Sequence, residues 1–177
     1  MIAVSLLACA MNVAPVTLNA IIHVESGGNP LTIHVNHAAE QPLPARTVQQ
    51  AAATARRFIA DGYSVDLGIM QINNRNLAVL GYTIEDALDA CLGITGGAAI
   101  LSADYGRAAM QFGEGQNALL AAISAYNTGD FARGFANGYV THVAGIPALS
   151  LPLASRPNPY AASTVAYNRE PLNVPIE

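Results

Sequence analysis

The chain has 177 residues, of which 52% are hydrophobic and 11% charged, with a formal net charge of −4. That length is most simply one domain with a real core, and so apolar a composition excludes disorder for the bulk of it. The charge offers no long-range attraction for nucleic acid or anionic lipid, and no apolar run approaches the roughly 20 residues that span a bilayer.

The opening MIAVSLLACA predicts a helix over about 2–10. It lacks a basic n-region and is short for a signal peptide, although Ala8-Cys9-Ala10 mimics a small-residue cleavage site. Leu6, Cys9 and Val13 also fit a buried helical face, and that reading is preferred to a signal peptide. A second helix is expected from Pro15, a favoured first-turn residue, to Ser26. A third spans about 46–61, with Val48, Ala51, Ala52, Ala55, Phe58 and Ile59 on one side and Gly62 closing it. A fourth starts after Thr83, whose hydroxyl can cap the chain ahead of Glu85 and Asp86. Its apolar stripe is Ile84, Ala87, Leu88 and Cys91. An Ala-rich helix follows over 97–110, and the last runs over about 117–126 and stops at Asn127-Thr128-Gly129. Stretches 27–45 and 62–76 are irregular, except that Thr32-Ile33-His34-Val35 alternates weakly as one short strand. Six of the ten prolines fall between Pro147 and Pro175. The expected division is a domain over 1–146 and an extended or partly disordered proline-rich tail over 147–177.

One position breaks the pattern of the second helix. Leu18, Ile21 and Ile22 recur at i, i+3 and i+4, and the next place on that inward stripe is Glu25. Gly27-Gly28 and Pro30 end the helix just beyond it. Burial and the negative end of the helix dipole both disfavour the carboxylate, so both push its pKa toward the value of a general acid near neutral pH. A side chain turned to solvent, or paired with an arginine, is the structural alternative. The helix ending in Ala125-Tyr126-Asn127-Thr128-Gly129 repeats the arrangement, because Tyr126 takes the last inward place of the stripe Leu119, Ala122, Ile123. Between the two lies Gly68-Ile69-Met70-Gln71-Ile72-Asn73, a glycine loop running into alternating apolar and amide residues. Each stretch alone reads as a cap or a buried strand.

Taken in order, ESGGNP, GIMQIN, AYNTG and the later Gly138-Tyr139-Val140 resemble the lytic transglycosylases of the lysozyme-like superfamily. The nearer match is the VirB1-like branch, associated with type IV secretion and conjugation. Asn12-Val13-Ala14-Pro15, Ser64-Val65-Asp66-Leu67 and the stretch from Phe131 to Val140 also resemble that branch. The likeness covers about residues 5–145. It implies a mainly α, α+β lysozyme-like fold with at most a minimal β element. It implies a periplasmic or cell-envelope location, peptidoglycan strands as substrate, type IV secretion or conjugation components as partners, and no cofactor. By the same resemblance Glu25 is the single acid/base and the product is a 1,6-anhydro sugar. Ser26, Met70, Gln71, Asn73, Tyr126, Asn127 and Tyr139 are the expected substrate-binding residues, with Met70 as a cleft wall and Tyr139 near the acid. A phenol hydroxyl bonds a carboxyl without bringing a charge, and on that ground Tyr126 and Tyr139 are expected to keep the pKa of Glu25 high. A closed, fairly apolar cleft would suit such non-hydrolytic chemistry.

Other residues keep alternatives open. Asp66 lies 41 residues after Glu25 and is either a second carboxylate for hydrolysis, as in a lysozyme or endolysin, or a backbone cap in a turn. A glycan-binding assembly protein that does not cut is a further alternative. His34 and His37 lack the companions of a zinc site, so no metal is expected. His23 lines the cleft or caps its helix. With no tryptophan in the chain, sugar stacking falls to Tyr63, Tyr82, Tyr105 or another tyrosine. Cys9 and Cys91 are either buried thiols or, in an oxidising compartment, a disulfide. The branch often carries a cysteine before the AYNTG tyrosine where this chain has Ala125, which by resemblance leaves Cys9 as the partner of Cys91.

Overall fold

The computed structural model describes residues 4–146; the expected proline-rich tail lies outside them. Nine helices, α1 (Val4–Leu7), α2 (Pro15–Ser26), α3 (Val48–Ala60), α4 (Leu77–Leu80), α5 (Ile84–Leu88), α6 (Ala90–Phe112), α7 (Gln116–Thr128), α8 (Arg133–Ala136) and α9 (Tyr139–Ala144), surround a small sheet among the described residues. The expected mainly α fold is what forms. The sheet is antiparallel in the order β1 (Ile33–Val35), β2 (Val65–Leu67), β3 (Ile72–Asn73). A 3-10 turn, Asn74–Asn76, follows β3 directly.

The main core is built where α2, α6, α7 and α9 meet. Leu18, Ile21 and Ile22 of α2 are fully buried and share that cluster with Ile94, Leu101, Ile123 and Val140. Leu7 and Ala10 belong to the same core, so the segment that mimics a cleavage site packs against this domain through Ala10, with Ala8 exposed. The structure pairs Cys9 with Cys91 in a disulfide. Cys91 is exposed there and does not continue the stripe of Ala87 and Leu88. Asp89 breaks that stripe, since its carboxylate accepts from the backbone N–H groups of Cys91 and Leu92 at 2.9 Å and starts a new helix. Thr83 and Asp86 form the expected capping box of α5.

Helix α6 begins seven residues before its expected start at 97. Gly93, Gly96 and Gly97 lower helix propensity, and the sequence reads as a break there. Packing overrides that cost. A Cβ on Gly97 would sit 2.7 Å from the Met70 side chain, and one on Gly96 would sit 2.8 Å from the Tyr82 ring. The glycines let the β2–β3 hairpin and the Tyr82 loop lie against the helix.

Stretch 62–76 is accordingly not irregular. It is a hairpin whose turn is Gly68–Gln71, with Gln71 N–H donating to the Gly68 carbonyl at 3.2 Å. Gly68 has φ +76°, and a Cβ there would lie 2.0 Å from the Ala87 carbonyl oxygen, so both conformation and space demand glycine. Gln71 also takes positive φ, at 48°. Its side-chain amide compensates by donating to the Gly68 and Thr32 carbonyls at 2.8 and 3.2 Å.

Candidate active site

Glu25 is the penultimate residue of α2, and Gly27 ends that helix in the left-handed conformation, returning its N–H to the His23 carbonyl. The carboxyl is half-buried and receives a hydrogen bond from the Tyr139 hydroxyl at the start of α9. Its pKa is raised from 4.5 to about 7. Burial is the main cause, the Tyr139 bond opposes it, and the negative charge of Asp66 adds to the rise. This corrects the expected role of the phenol: a donor to a carboxylate favours the ionised form, so Tyr139 moderates the shift. Tyr139 itself is 8% exposed, and burial, followed by the nearby Glu25 charge and their hydrogen bond, pushes its own pKa up, so it stays a donor.

A cleft of about 900 Å³ opens beside this pair. Its walls include Glu25, His34 and Asn36 near β1, Asp66, Gln71, Asn73 and Arg75 from the hairpin and its 3-10 turn, Asp104 and Arg107 from α6, and Tyr126 and Asn127 from α7. Most of the lining side chains are polar, so the expectation of a closed, fairly apolar cleft does not hold. Ile33, Ile72 and Ile100 supply apolar patches.

The expected site residues separate into those that line the cleft and those that do not, the latter being Met70, Ser26 and Tyr139, which meets the cleft only through its bond to Glu25. Gln71, Asn73, Tyr126 and Asn127 line the cleft with Glu25. Met70 does not form a wall: its side chain is fully buried against Gly97, and what it contributes is a carbonyl that accepts the Tyr126 hydroxyl at 2.7 Å. Ser26 is likewise absent from the lining, because its hydroxyl donates to the Ile69 carbonyl at 2.7 Å and accepts from Gly28 N–H. These two bonds, one from the end of α2 and one from the end of α7, both hold the hairpin turn. They fix Glu25 and Tyr126 around one cleft. Burial, followed by the charges of Glu25, Asp104 and Asp66, pushes the Tyr126 phenol well up, so it too remains protonated. Asn127 accepts from the Asn137 amide at 3.0 Å, and Asn137 in turn accepts from Tyr139 N–H.

Asp66 sits in β2 and not in a turn, which corrects the backbone-cap alternative. Its two oxygens accept from the Asn36 and Asn73 amides at 2.8 and 2.6 Å. Strand register supports this, since Asp66 is paired with Asn73 across β2–β3. None of Tyr63, Tyr82 or Tyr105 lines the cleft. Tyr63 packs edge-on against Phe58, Tyr82 donates to the Leu92 carbonyl, and Tyr105 accepts from Gly115 N–H. His23 is exposed and also lies off the lining.

Residues 4–147 match the family model of the transglycosylase SLT domain. The chain belongs to that family. It is 43% identical over 150 residues to the protein VirB1 of Agrobacterium fabrum, covering 84% of this chain and 60% of that protein. It is 46% identical to the protein VirB1 of Rhizobium radiobacter over 76% of this chain and 56% of the relative. The type IV secretion system protein VirB1 of Brucella abortus is 41% identical over 72% of this chain and 53% of its own length. The chain thus spans little more than half the length of these curated relatives. No solved structure matches it.

Within this SLT domain, residues that sequence reasoning missed are Asn36, Ser64, Arg75, Asp104 and Arg107. Asn36 follows the strand read at 32–35, and a hydrogen-bonding side chain at a strand end was the available signal. Asp104 and Arg107 fall one turn apart on α6 and form an ion pair, with the guanidinium 5.5 Å from the Phe131 ring centre. Asp104 is nearly buried, and burial raises its pKa against the opposing pull of Arg107.

Proposed function

We propose that the protein is a peptidoglycan lytic transglycosylase that cleaves the β-1,4 bond between N-acetylmuramic acid and N-acetylglucosamine. It forms a 1,6-anhydromuramoyl end and opens the wall locally, in the periplasm, for a type IV secretion or conjugation apparatus. Family membership and the names of the VirB1 relatives support the activity and its setting. The observation that carries the chemistry is Glu25, a carboxyl raised to about 7 at the edge of a sugar-sized cleft and bonded to a neutral phenol.

Such a group is protonated for part of the time near neutral pH and ionised for the rest, as an acid that must also serve as a base requires. In the first step Glu25 gives its proton to the glycosidic oxygen as the C1–O bond breaks, and C1 becomes oxocarbenium-like. In the second, the muramoyl C6 hydroxyl loses its proton to the Glu25 carboxylate and O6 bonds to C1. The cycle returns Glu25 protonated and consumes no water. Gln71, Asn73, Tyr126 and Asn127 hold the sugars, and Tyr139 orients the carboxyl.

Hydrolysis is the competing reading, because Asp66 lines the same cleft. The Asn36 and Asn73 amides tie both Asp66 oxygens to the sheet, an arrangement that suits a positioning role, while each oxygen keeps a further lone pair, so the products decide between the two readings. Mass spectrometry of digested peptidoglycan tests the assignment: anhydromuramoyl ends support it, new reducing ends would establish the hydrolase, and no new ends would leave a glycan binder.

A further inference from the structure

Two arginines line the cleft, Arg75 and Arg107, and their situations differ. Arg107 is committed to Asp104 and lies beside the Phe131 ring. Arg75 is exposed and makes no ion pair among the described residues. Its backbone is nonetheless fixed. Arg75 N–H donates to the Asn73 side-chain oxygen at 3.1 Å, and the next residue back, Asn74, accepts from Val65 N–H at 2.8 Å. The acids of the cleft do not satisfy it: Asp66 is held by two amides, Asp104 by Arg107, and Glu25 by Tyr139. An unpaired guanidinium on a fixed stretch of backbone beside the β2–β3 hairpin is a receptor for an anion carried by whatever fills the cleft.

The glycan backbone of peptidoglycan has no charge. Its anionic groups hang from the muramoyl lactyl arm, as carboxylates of the stem peptide or, once that peptide is removed, as the bare lactyl carboxylate. We propose that Arg75 binds a carboxylate on the muramoyl side arm, so that the enzyme selects strands with an anionic arm over neutral glycan. This rests on the transglycosylase reading for the nature of the strand. Apart from its acids, the ion-paired Arg107 and the imidazoles of His34 and His37, the cleft offers neutral amides and hydroxyls, which recognise any sugar. Arg75 is the group that tells a muramoyl residue with an anionic arm from one with a neutral arm.

The test uses the full chain and three glycan preparations: strands with peptide stems, strands stripped to the bare lactyl carboxylate, and stripped strands whose carboxylate is converted to the neutral methylamide. Arg75→Gln is expected to raise KM on charged strands about five- to tenfold, with kcat little changed. On the neutral strands it should match the parent. Arg75→Lys should recover most of the loss, and the difference should shrink as salt is added. An effect on stem-bearing strands alone assigns the contact to the peptide carboxylates, an effect on stripped strands alone to the lactyl carboxylate, and an effect on both to whichever carboxylate the arm carries. Equal KM values for parent and Arg75→Gln on all charged strands would overturn the proposal. The same comparison of Kd is made in the Glu25→Gln background by fluorescence anisotropy of labelled strands. If the parent cuts nothing, the transglycosylase reading fails, while a Kd rise on Arg75→Gln upholds the arginine contact. Unchanged Kd, or no binding of any strand, overturns it.

Discussion

The Tyr139 hydroxyl donates to the Glu25 carboxyl across 114 residues of sequence, joining the first turn of α9 to the last turn of α2. Three influences then compete at one carboxyl. Burial raises its pKa, the phenol lowers it, and the charge of Asp66 raises it again, with the balance near 7. The proposed acid is therefore set by residues on α2, α9 and β2 together, and each can be altered singly.

Glu25→Gln should lower turnover by a factor on the order of 10² to 10⁴ while leaving the fold intact, because the two side chains are nearly isosteric. The proton donor must be protonated at the start of the cycle. In the parent enzyme kcat/KM should therefore fall about tenfold per pH unit above about 7. Rates of muropeptide release between pH 5 and 9 measure both. Parent-like release by purified Glu25→Gln would show that another residue is the acid.

Tyr139→Phe and Asp66→Asn should move that basic limb in opposite directions. Loss of the phenol removes a donor that favours the carboxylate, so the Glu25 pKa rises and activity persists to higher pH. Loss of the Asp66 charge removes a repulsion, so the pKa falls and activity is lost at lower pH. Asp66→Asn also turns an amide toward the Asn36 or Asn73 donors, so circular dichroism must accompany the kinetics. Complete loss of turnover in a folded Asp66→Asn protein favours hydrolysis.

A raised carboxyl also costs stability. In the folded state Glu25 holds its proton up to about pH 7, whereas in the unfolded chain it releases it near 4.5. Unfolding therefore becomes easier as pH rises from 4.5 to about 7, and the full penalty stands above that range. The shift corresponds to roughly 3 kcal/mol at most. Glu25→Gln, which keeps an acceptor for Tyr139 and cannot ionise, should be more stable than the parent at pH 8 and equal to it near pH 4. Urea midpoints at the two pH values decide this, and a variant less stable at pH 8 contradicts the buried-acid account.

How much of this was legible in the sequence depends on where each interaction lives. Glu25 could be found because the stripe that places it is local to one helix, and Thr83 because a capping box spans four residues. The hairpin could not. Val65–Leu67 and Ile72–Asn73 are too short to alternate convincingly, and what makes them strands is pairing with each other and with Ile33–Val35. The early start of α6 was hidden for the same reason, because Gly93, Gly96 and Gly97 oppose a helix locally and are required only once Met70, Tyr82 and Ala87 lie against them. For Met70 and Ser26 a place in the cleft rests on motif position alone. The sequence gives no sign that one would be buried and the other spent on a backbone carbonyl.

The Cys9–Cys91 disulfide should matter for stability and little for turnover. It closes 82 residues between the α1–α2 connection and the first turn of α6, and neither cysteine lines the cleft. In the chain-entropy picture a loop of that length contributes roughly 4 kcal/mol, of which measured bridges commonly deliver half or more. The Thr95 hydroxyl also donates to the Cys9 carbonyl at 2.9 Å, and the Asn12 amide to the Ser102 hydroxyl at the same distance, so this segment stays attached to α6 without the bridge. Reduction, or the Cys9→Ser/Cys91→Ser double variant, should therefore lower Tm by about 5–15 °C yet leave a folded protein at room temperature. The proposed acid and its phenol partner are held from elsewhere, by Ser26 on the Ile69 carbonyl and by Tyr139 on Glu25. Activity at 25 °C should consequently survive reduction while the half-life at elevated temperature shortens. Loss of turnover at 25 °C in a reduced protein that still melts cooperatively would show that the bridge positions the site as well as stabilising it.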